Sequence, residues 1–450
     1  MSGIAELLVN LGYDVSGSDR RRSPVTDRLA GLGVQIAEGH GAEHVRGADV
    51  VVTSSAIPRD NPEVREAERV AIPVIPRAEM LAELMRLRFG VAVAGAHGKT
   101  TTSSMVACVL EHAGLDPTAV IGGLVVAFGS NARLGRSEYM VVEADESDRS
   151  FLRLTPSIAV ITNIDREHLE SYADEDHLAT AFLDFADKVP FYGAVVACVD
   201  DGRVRALVPR MSRRVITYGV SADAELAGLD LELGADGSRC VVWRCSAAAD
   251  GGRAQLGDLL VGMPGRHNLL NGLAAVAVGL ELGVAFESIA AALGEFRGVE
   301  RRLEVCGTVD GVTVIDDYAH HPTEIAAVLA AVRLGHPGRI VAVFQPHRYS
   351  RTADLVDEFG RALASADTVV LTDIYPAGEA PIPGVDLEAV ADAVRRASAV
   401  PVHLVPVLER VAPVAAALAR SGDTVLTLGA GSIGSVARAV VRELEALHRA

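Results

Sequence analysis

A glycine turn and a lysine follow an apolar run at residues 91–104, which read VAVAGAHGKTTTSS. Phosphate-binding loops usually have the form GxxxxGK[ST] between a strand and a helix. Val93 stands where the first glycine of that form would be, so only the part from Gly95 to Thr100 matches. Backbone N–H groups at a helix start bind phosphate, a lysine adds charge and a hydroxyl can ligate Mg2+. The alternative is a strand-to-helix turn with an incidental lysine. We predict a shortened phosphate loop whose nucleotide contacts are Gly95, Ala96, His97, Gly98, Lys99, Thr100 and Thr101.

Polar residues also stand directly after two of the following apolar runs. The run YMVVEADESD places Glu143 at a predicted strand end, and AVITNIDREH places Asn163 at the next, with His168 shortly after. Ligands of open α/β sheets bind at the carboxyl ends of the strands. A carboxylate and an imidazole beside a phosphate loop would complete metal sites. Alternatively, Glu143 is a charge at a helix terminus and His168 is a surface or core histidine.

Two later apolar runs carry similar polar groups at their ends. The segment VTVIDDYAHHPTE ends one run with two aspartates, a tyrosine and two histidines, and IVAVFQPHRYSRT ends another with His347, Arg348 and Arg351. Paired arginines at a strand end suit a carboxylate or phosphate ligand. A solvated loop with Pro322 opening a helix is the alternative. The histidines do not indicate zinc, because no cysteine or HxxxH companion accompanies them.

A second glycine-rich turn, LGAGSIG at residues 428–434, has the spacing of a dinucleotide-binding fingerprint. That fingerprint needs a further strand with a ribose-binding acid, and we see none after this turn. We interpret the segment as a tight turn near a nucleotide cleft, and we do not expect a dehydrogenase.

Short β-rich runs alternate with helical patterns almost throughout, which is typical of parallel α/β layers. The helical rhythm is lost at residues 219–260, which indicates an antiparallel excursion. We predict three α/β domains at residues 1–89, 90–298 and 299–450. The predicted strands are the runs YDVSGSD, ADVVVTSSA, FGVAVAG, YMVVEAD, IAVITNID, GAVVACVD, VTVIDDY, RIVAVFQ, DTVVLTD and DTVLTLG.

Composition excludes several other classes of protein. The chain has 42 basic and 59 acidic residues, a net charge of -17, and its basic residues are scattered, so we expect no nucleic-acid partner. The five cysteines form no CxxC pair and indicate reduced thiols. The most apolar stretch, residues 269–286, contains Asn271 and Glu281 and is typical of a buried helix that ends near Gly283. We expect a cytoplasmic protein without membrane insertion, either a monomer or a homodimer.

Seven segments occur together in one order: GAHGKTTT, VVEADESDRSFL, ITNIDREHLE, GRHNLLNGLAA, ERRLE, DDYAHHPTE and FQPHRYSRT. Together they resemble the Mur ligase family over nearly all 450 residues, including its shortened phosphate loop. The resemblance implies a Rossmann-like N-terminal domain for a UDP-sugar, a central P-loop ATPase-type parallel sheet, and a Rossmann-like C-terminal domain that closes over ATP and brings the amino acid.

The same resemblance implies an activity and its cofactors. An ATP-dependent ligase would join L-alanine to the lactoyl carboxylate of UDP-N-acetylmuramate through an acyl phosphate, with Mg2+ or Mn2+. The alternatives are a recycling ligase that adds a murein tripeptide to the same sugar nucleotide and an inactive nucleotide-binding relative.

Site residues carried over from the resemblance fall into four groups. Lys99 would hold the β- and γ-phosphates, Thr100 and Glu143 one metal ion, and Glu143 with His168 a second. The nucleotide would also meet Asn268, Asn271 and Arg302. The alanine and closure site would comprise Asp316 on its nucleotide side, Tyr318, His320, His347, Arg348 and Arg351. The UDP-sugar would meet Ser18, Asp19, Ser54 and Ser55, and its muramyl portion Asn131. The predicted catalytic residues are Lys99, Glu143, His168, His320 and Arg348. We do not expect Lys188 to serve as the carbamylated lysine of several sister ligases.

The resemblance also bears on the N-terminal domain. Similar family members begin with a strand and a glycine turn of the form GxGGxGMSG, whereas this chain begins at the Met-Ser-Gly of that turn. We therefore expect the domain to lack its first strand and the working protein to carry about 15 to 25 further residues. The alternative is a shortened domain that binds the sugar nucleotide through Ser18, Asp19 and Ser54.

Overall fold

The computed structural model describes residues 1–54, 56–125, 130–166, 171–245 and 252–449, with the backbone alone at 124, 125, 130 and 131. The predictions for Ser55 and His168, and for the side chain of Asn131, lie outside these residues. The chain divides into two units, of which the first comprises Met1–Asp230, Val241–Leu259 and Leu270–Phe296. The second comprises Leu231–Cys240, Leu260–Leu269 and Arg297–Ala450. The division into three domains stays a prediction.

Two short parallel strand pairs form the first part of the chain. Strand β1 (Ser16–Asp19) pairs with β2 (Gln35–Glu38), and β3 (Val51–Thr53) pairs with β4 (Val74–Pro76). The helices here are α1 (Ser2–Asn10), α2 (Pro24–Gly31), α3 (Pro62–Arg69) and α4 (Arg77–Met85). Ser23 and Asn61 cap α2 and α3, and each cap is followed by a proline, whose missing N–H costs nothing in a first helical turn.

The next sheet carries the predicted phosphate loop. Its strands are β5 (Phe89–Ala94), β6 (Thr118–Val125), β7 (Ser130–Arg133), β8 (Tyr139–Glu143), β9 (Ile158–Ile161), β10 (Ala194–Cys198), β11 (Val215–Gly219), β12 (Leu226–Gly234), β13 (Gly237–Cys245) and β14 (Arg253–Val261). They are ordered β14-β13-β12-β11-β10-β9-β5-β8-β6-β7. Strands β5, β6 and β8 to β12 pair in parallel, and β7 is antiparallel to β6. Every residue of β9 and β10 is buried, which explains why these strands are continuously apolar.

Helices accompany this sheet along the chain. They are α5 (Lys99–His112), α6 (Glu175–Asp187), α7 (Gly202–Leu207), α8 (Arg266–Glu281) and α9 (Phe286–Glu295). In the core of the first unit, the ring of Phe151 lies 5.3 Å from that of Phe182 and 5.1 Å from that of Phe185. Gly283 lies just after α8 and has a φ of 77°, the left-handed conformation in which glycines often end helices. The helix therefore ends near Gly283, where the sequence predicted its end. None of the helices in the described part of the chain is both long and apolar enough to span a membrane.

The second unit contains a six-stranded sheet. Its strands are β15 (Glu304–Val309), β16 (Val312–Asp317), β17 (Ile340–Phe344), β18 (Thr368–Leu371), β19 (Val402–Leu404) and β20 (Thr424–Leu428). Its helices are α10 (Pro322–Gly335), α11 (Tyr349–Leu363), α12 (Leu387–Ala397), α13 (Val411–Leu418) and α14 (Val436–Arg449). The order is β15-β16-β20-β17-β18-β19, parallel except for the edge strand β15. Ile340 and Phe344 of β17 join one apolar cluster and Val341 and Val343 the other, so both sheet faces are covered.

The α/β class is confirmed, and all ten predicted strands are present. The predicted excursion at 219–260 contains β12, β13 and β14, which are neighbours in the sheet. Sequence patterns missed several shorter strands, among them β2, β4 and β19. Their residues are mostly half-buried, so neither continuous apolar character nor strict alternation marks them.

Candidate nucleotide-binding and catalytic site

The predicted phosphate loop connects β5 to α5 through the four residues Gly95 to Gly98. Gly95 has a φ of 137°, and a Cβ atom there would lie 2.1 Å from Oγ1 of Thr162. Gly98 has a φ of 80°, and a Cβ atom there would lie 2.6 Å from Oδ1 of Asn271. Both glycines are therefore required by backbone conformation and by close neighbours. The structure places Asn271, predicted from sequence, directly against this loop.

The start of α5 presents unpaired backbone donors. Gly98 is the N-cap and offers no side chain to cap the helix. Among the described residues, the four backbone N–H groups from Gly98 to Thr101 have no protein acceptor. Such N–H groups, together with the positive end of the helix dipole, bind anions. The start of α5 is therefore suited to bind a phosphate group.

Lys99 lies at the centre of this region and forms an ion pair with the buried Glu146. Its Nζ donates to the carbonyl oxygens of Gly95 at 2.6 Å and Ala96 at 3.1 Å, and to Oε1 of Glu146 at 2.9 Å. Burial alone would lower the pKa of Lys99, but the carboxylates of Glu146 and Asp145 hold that pKa above its ordinary value. Lys99 is therefore protonated at neutral pH. Its charged partner is Glu146, which was not predicted from the sequence.

Thr100 and Glu143 form a second group beside the loop. Oγ1 of Thr100 lies 3.1 Å from both carboxylate oxygens of Glu143, and the N–H of Gly122 donates to Oε2 of Glu143 at 2.8 Å. A carboxylate and a hydroxyl are oxygen ligands of the kind that Mg2+ and Mn2+ prefer. These two side chains fit one divalent cation. The structure thus brings together Lys99, Thr100, Glu143 and Asn271 from the predicted set.

The residues predicted for the UDP-sugar lie at the ends of the first strands. Ser18, in β1, donates to Oε2 of Glu63 at 2.7 Å, and its Oγ lies 3.0 Å from Nδ1 of His40. Burial would raise the pKa of Glu63, but hydrogen bonds from Ser18 and His44 lower it, so Glu63 is a carboxylate. Asp19 ends β1 and Ser54 follows β3. Glu63 and the two histidines were not predicted.

In the second unit, two adjacent aspartates end β16 with different partners. Asp316 is 2% exposed and accepts hydrogen bonds from Oγ1 of Thr427 and from Nε of Arg301, the latter at 2.8 Å. Asp317 is equally buried and accepts the backbone N–H groups of Leu303 at 2.8 Å and Ala319 at 2.7 Å. Burial raises the pKa of Asp317 to about 6 and also raises that of Asp316.

Tyr318 follows these aspartates, and two arginines lie near its ring. The guanidinium carbons of Arg301 and Arg302 each lie 5.1 Å from the centroid of the Tyr318 ring, a cation–π arrangement. Arg301 was not predicted, whereas Arg302 was. Asn268 also lies in this unit, where its Nδ2 donates to the carbonyl of Pro264 at 2.8 Å.

A row of aromatic rings extends from Tyr318. The His320 ring lies 5.4 Å from Tyr318 and 5.8 Å from His347, and His347 stacks on Tyr375 at 5.4 Å. Burial, reinforced by His320 and Arg351, lowers the pKa of His347 to about 4, so this imidazole is neutral at pH 7. Nη1 of Arg351 lies 3.4 Å from Nδ1 of His347. Four of the predicted residues, Tyr318, His320, His347 and Arg351, therefore lie together, and Tyr375 joins them.

Arg348 caps α11 in an unusual backbone conformation. Its φ is 70°, its N–H donates to the carbonyl of Tyr375 at 2.8 Å, and its carbonyl accepts from Thr352. A non-glycine residue in this region costs free energy and is often found at functional sites.

The glycine turn after β20 wraps around Gln345. Oε1 of Gln345 accepts the N–H of Ile433 at 3.0 Å, and a Cβ atom at Gly431 would lie 2.7 Å from Cγ of Tyr375. At Gly434, a Cβ atom would lie 2.5 Å from Cζ of Arg301. The turn is tight and leads into α14, which agrees with the interpretation from sequence. Gln345 directly follows β17, so the strand-end rule that located His347 also pointed to it.

Comparison with known proteins supports one family across the chain. The models described as "Mur ligase family, catalytic domain", "Mur ligase middle domain" and "Mur ligase, glutamate ligase domain" match residues 1–89, 93–279 and 301–431. A UDP-N-acetylmuramate--L-alanine ligase of Anaeromyxobacter dehalogenans is 54% identical over 445 residues, 99% of this chain and 95% of that protein. One of Geobacter sulfurreducens is 50% identical over 452 residues, 100% and 96% of the two chains. The crystal structure of a UDP-N-acetylmuramate-alanine ligase from Thermotoga maritima matches with a TM-score of 0.82 at 28% identity, over 99% and 97% of the chains.

Proposed function

The chain belongs to the Mur ligase family, and on that premise we propose that it joins L-alanine to the lactoyl carboxylate of UDP-N-acetylmuramate while ATP is converted to ADP and phosphate. The observation that carries this function is the 54% identity, over 99% of the chain, with a ligase of that name. This ligase activity provides a precursor for peptidoglycan synthesis.

Amide formation from a free carboxylate is unfavourable in water, and ATP supplies the phosphoryl group that converts this carboxylate into an acyl phosphate. The alanine amine then attacks the acyl carbon, phosphate leaves, and the amine loses its proton. The protein contributes mainly positioning and neutralisation of charge. Lys99 and the N–H groups at the start of α5 would bind the phosphates. Thr100 and Glu143 would hold Mg2+ or Mn2+, and His168 would complete a second metal site.

The polar cluster of the second unit supports a role in amino-acid recognition. Arg348 and Arg351 would bind the carboxylate of L-alanine or hold the unit closed, because paired guanidinium groups at one strand end suit a carboxylate. His320 and His347 lie in the same row of rings, and the neutral state of His347 avoids a further positive charge there. Asn268, Asn271, Arg302 and Asp316 would contact the nucleotide.

The remaining assignments concern the sugar nucleotide and the location. Residues 1–89 would bind the UDP-sugar with Ser18, Asp19, Ser54 and Ser55, and Asn131 would contact the muramyl portion. Residues 90–298 and 299–450 would form the ATPase and closure domains. Five cysteines with free thiols support a cytoplasmic location.

Phosphate release distinguishes this function from its alternatives. The purified chain is supplied with ATP, Mg2+ and UDP-N-acetylmuramate, and the release of phosphate is measured with L-alanine, with a murein tripeptide, or with neither. We expect release that depends on L-alanine. Release with the tripeptide alone would identify a recycling ligase, and no release under any condition, from folded protein, would identify an inactive relative.

A further inference from the structure

The residues that follow β9 hold the phosphate loop in place. Oδ1 of Asn163 accepts the N–H of His97 at 2.8 Å, and Nδ2 of Asn163 donates to the carbonyl of His97 at 2.9 Å. Oγ1 of Thr162 donates to the same carbonyl at 2.7 Å. The backbone carbonyl of Asn163 accepts the N–H of Ala96 at 3.2 Å. Three of these hydrogen bonds therefore fix the two peptide groups that flank His97, and the fourth fixes the peptide between Gly95 and Ala96.

This attachment sets the direction of the first anion-binding donor. The carbonyl of His97 and the N–H of Gly98 belong to one planar trans peptide, in which the two groups point in opposite directions. Because Asn163 and Thr162 bind that carbonyl, the Gly98 N–H is turned away from β9. It is the first of the four N–H groups that have no protein acceptor among the described residues.

The short length of the loop makes such an attachment necessary. Loops of the usual form have four residues between their glycines, whereas here only Ala96 and His97 separate Gly95 from Gly98. The neighbouring strand end supplies the contacts that fix this shorter loop. Gly95 fits the same arrangement, because a Cβ atom there would lie 2.1 Å from Oγ1 of Thr162.

We propose that Asn163 is a positioning residue for phosphate binding, which fixes the peptide between His97 and Gly98 so that its N–H is directed at the nucleotide. The proposal rests on the proposed function, since the ligand is the nucleotide that this function requires. Asparagine suits the position because its amide offers an acceptor and a donor on one rigid group. Aspartate would offer acceptors only and would place a negative charge beside the phosphate site.

The test measures ADP affinity by titration calorimetry, in the presence of Mg2+, for the full chain and its variants. Asn163→Leu keeps a similar volume but removes both side-chain hydrogen bonds. We expect its dissociation constant for ADP to rise about tenfold to hundredfold, as the loss of two partly buried hydrogen bonds implies. The KM for L-alanine should stay unchanged, because Asn163 acts only on the loop. Asn163→Ser provides the same comparison if the leucine variant does not fold.

Asn61→Ala is the matched control. Asn61 is another asparagine whose side chain binds a backbone N–H: it is 6% exposed and caps α3 through the N–H of Glu63. This variant should lose thermal stability and keep its ADP affinity. Wild-type ADP affinity in the Asn163 variants, or an equal loss of affinity in Asn61→Ala, would overturn the positioning role. A wild-type protein that does not bind ADP would instead overturn the proposed function, and this role with it.

Discussion

Glu146→Gln should strengthen nucleotide binding while it weakens the fold. Lys99 uses all three of its N–H donors within the protein, on two carbonyls and on Glu146. A phosphate oxygen that binds Lys99 must therefore replace at least one of these acceptors. Glutamine keeps an acceptor of similar shape but removes the charge, so the contact with Lys99 becomes easier to exchange.

The size of the effect follows from the distance between the charges. At 2.9 Å and an effective dielectric of about 20, the pair of Lys99 and Glu146 attracts by about 5.7 kcal/mol. If a phosphate draws Lys99 away until the separation is about 4 Å, the attraction falls to about 4.2 kcal/mol. The loss of about 1.5 kcal/mol opposes binding in the wild type and disappears in the variant. We therefore expect about tenfold tighter binding.

The assay titrates ADP into protein in the presence of EDTA, so that only protein groups contribute to phosphate binding. Thermal unfolding is measured in parallel and should show a lower Tm, because a largely buried ammonium loses its charged partner. Asp148→Asn is the control, because Asp148 carries the same charge in the same segment but is exposed. Its carboxylate accepts the N–H of Ser150 at 3.0 Å. Unchanged or weaker ADP binding by Glu146→Gln, or an equal gain in Asp148→Asn, would refute the competition between Glu146 and phosphate.

Three further outcomes are expected. Burial raises the pKa of Asp317 from 3.8 to about 6 in the folded chain, so ionisation of this carboxyl lowers the free energy of unfolding by about 3 kcal/mol as the pH rises from about 4 to above 6. In thermal unfolding, Asp317→Asn should therefore lose less stability than the wild type between pH 4 and pH 7, and identical pH profiles would contradict burial as the cause. Arg348→Ala should raise the KM for L-alanine or lower kcat far more than it alters ATP binding, and an unaltered response to L-alanine would remove Arg348 from the site. The control is Arg361→Ala, on the exposed side of the same helix, which should change neither the KM for L-alanine nor kcat. Lys99→Ala should abolish phosphate release and also destabilise the protein by about 3 to 5 kcal/mol, because the buried Glu146 loses its ion pair with Lys99. Adding Glu146→Gln should restore stability without activity, and activity in either variant would contradict the role of Lys99.

Local patterns were sufficient to predict the elements that carry the site. Strands such as β5, β9 and β17 are short apolar runs, because helices cover both faces of a parallel sheet and leave no solvent-exposed alternation. The strand-end rule then located Glu143, Asn163 and His347 without knowledge of strand order. It succeeds because the carboxyl ends of parallel strands share one edge, whichever strands are neighbours.

The contacts between those residues depend on strand order and could not be predicted. Asn163 was found at a strand end, but its bonds to His97 span 66 positions and exist because β9 pairs with β5. Glu146 lies beyond the end of β8, and a sequence pattern does not show that its side chain turns inward to Lys99. The resemblance selected Arg302 but not its neighbour Arg301, and it did not indicate that both guanidinium groups lie near the ring of Tyr318.

The two aspartates of β16 show what alternation along a strand can and cannot decide. Successive side chains point to opposite faces, so Asp316 and Asp317 cannot share one ligand in the same way. The choice between the faces depends on neighbouring segments: Asp316 meets Thr427 of β20 and Arg301, whereas Asp317 meets the backbone of Leu303 and Ala319. Asp316 was assigned to the nucleotide, yet in this structure both of its oxygens already bind protein donors. Contact with a nucleotide through this residue would therefore require Arg301 or Thr427 to exchange its bond, which makes Arg301 as relevant to the affinity of the site as Asp316 itself.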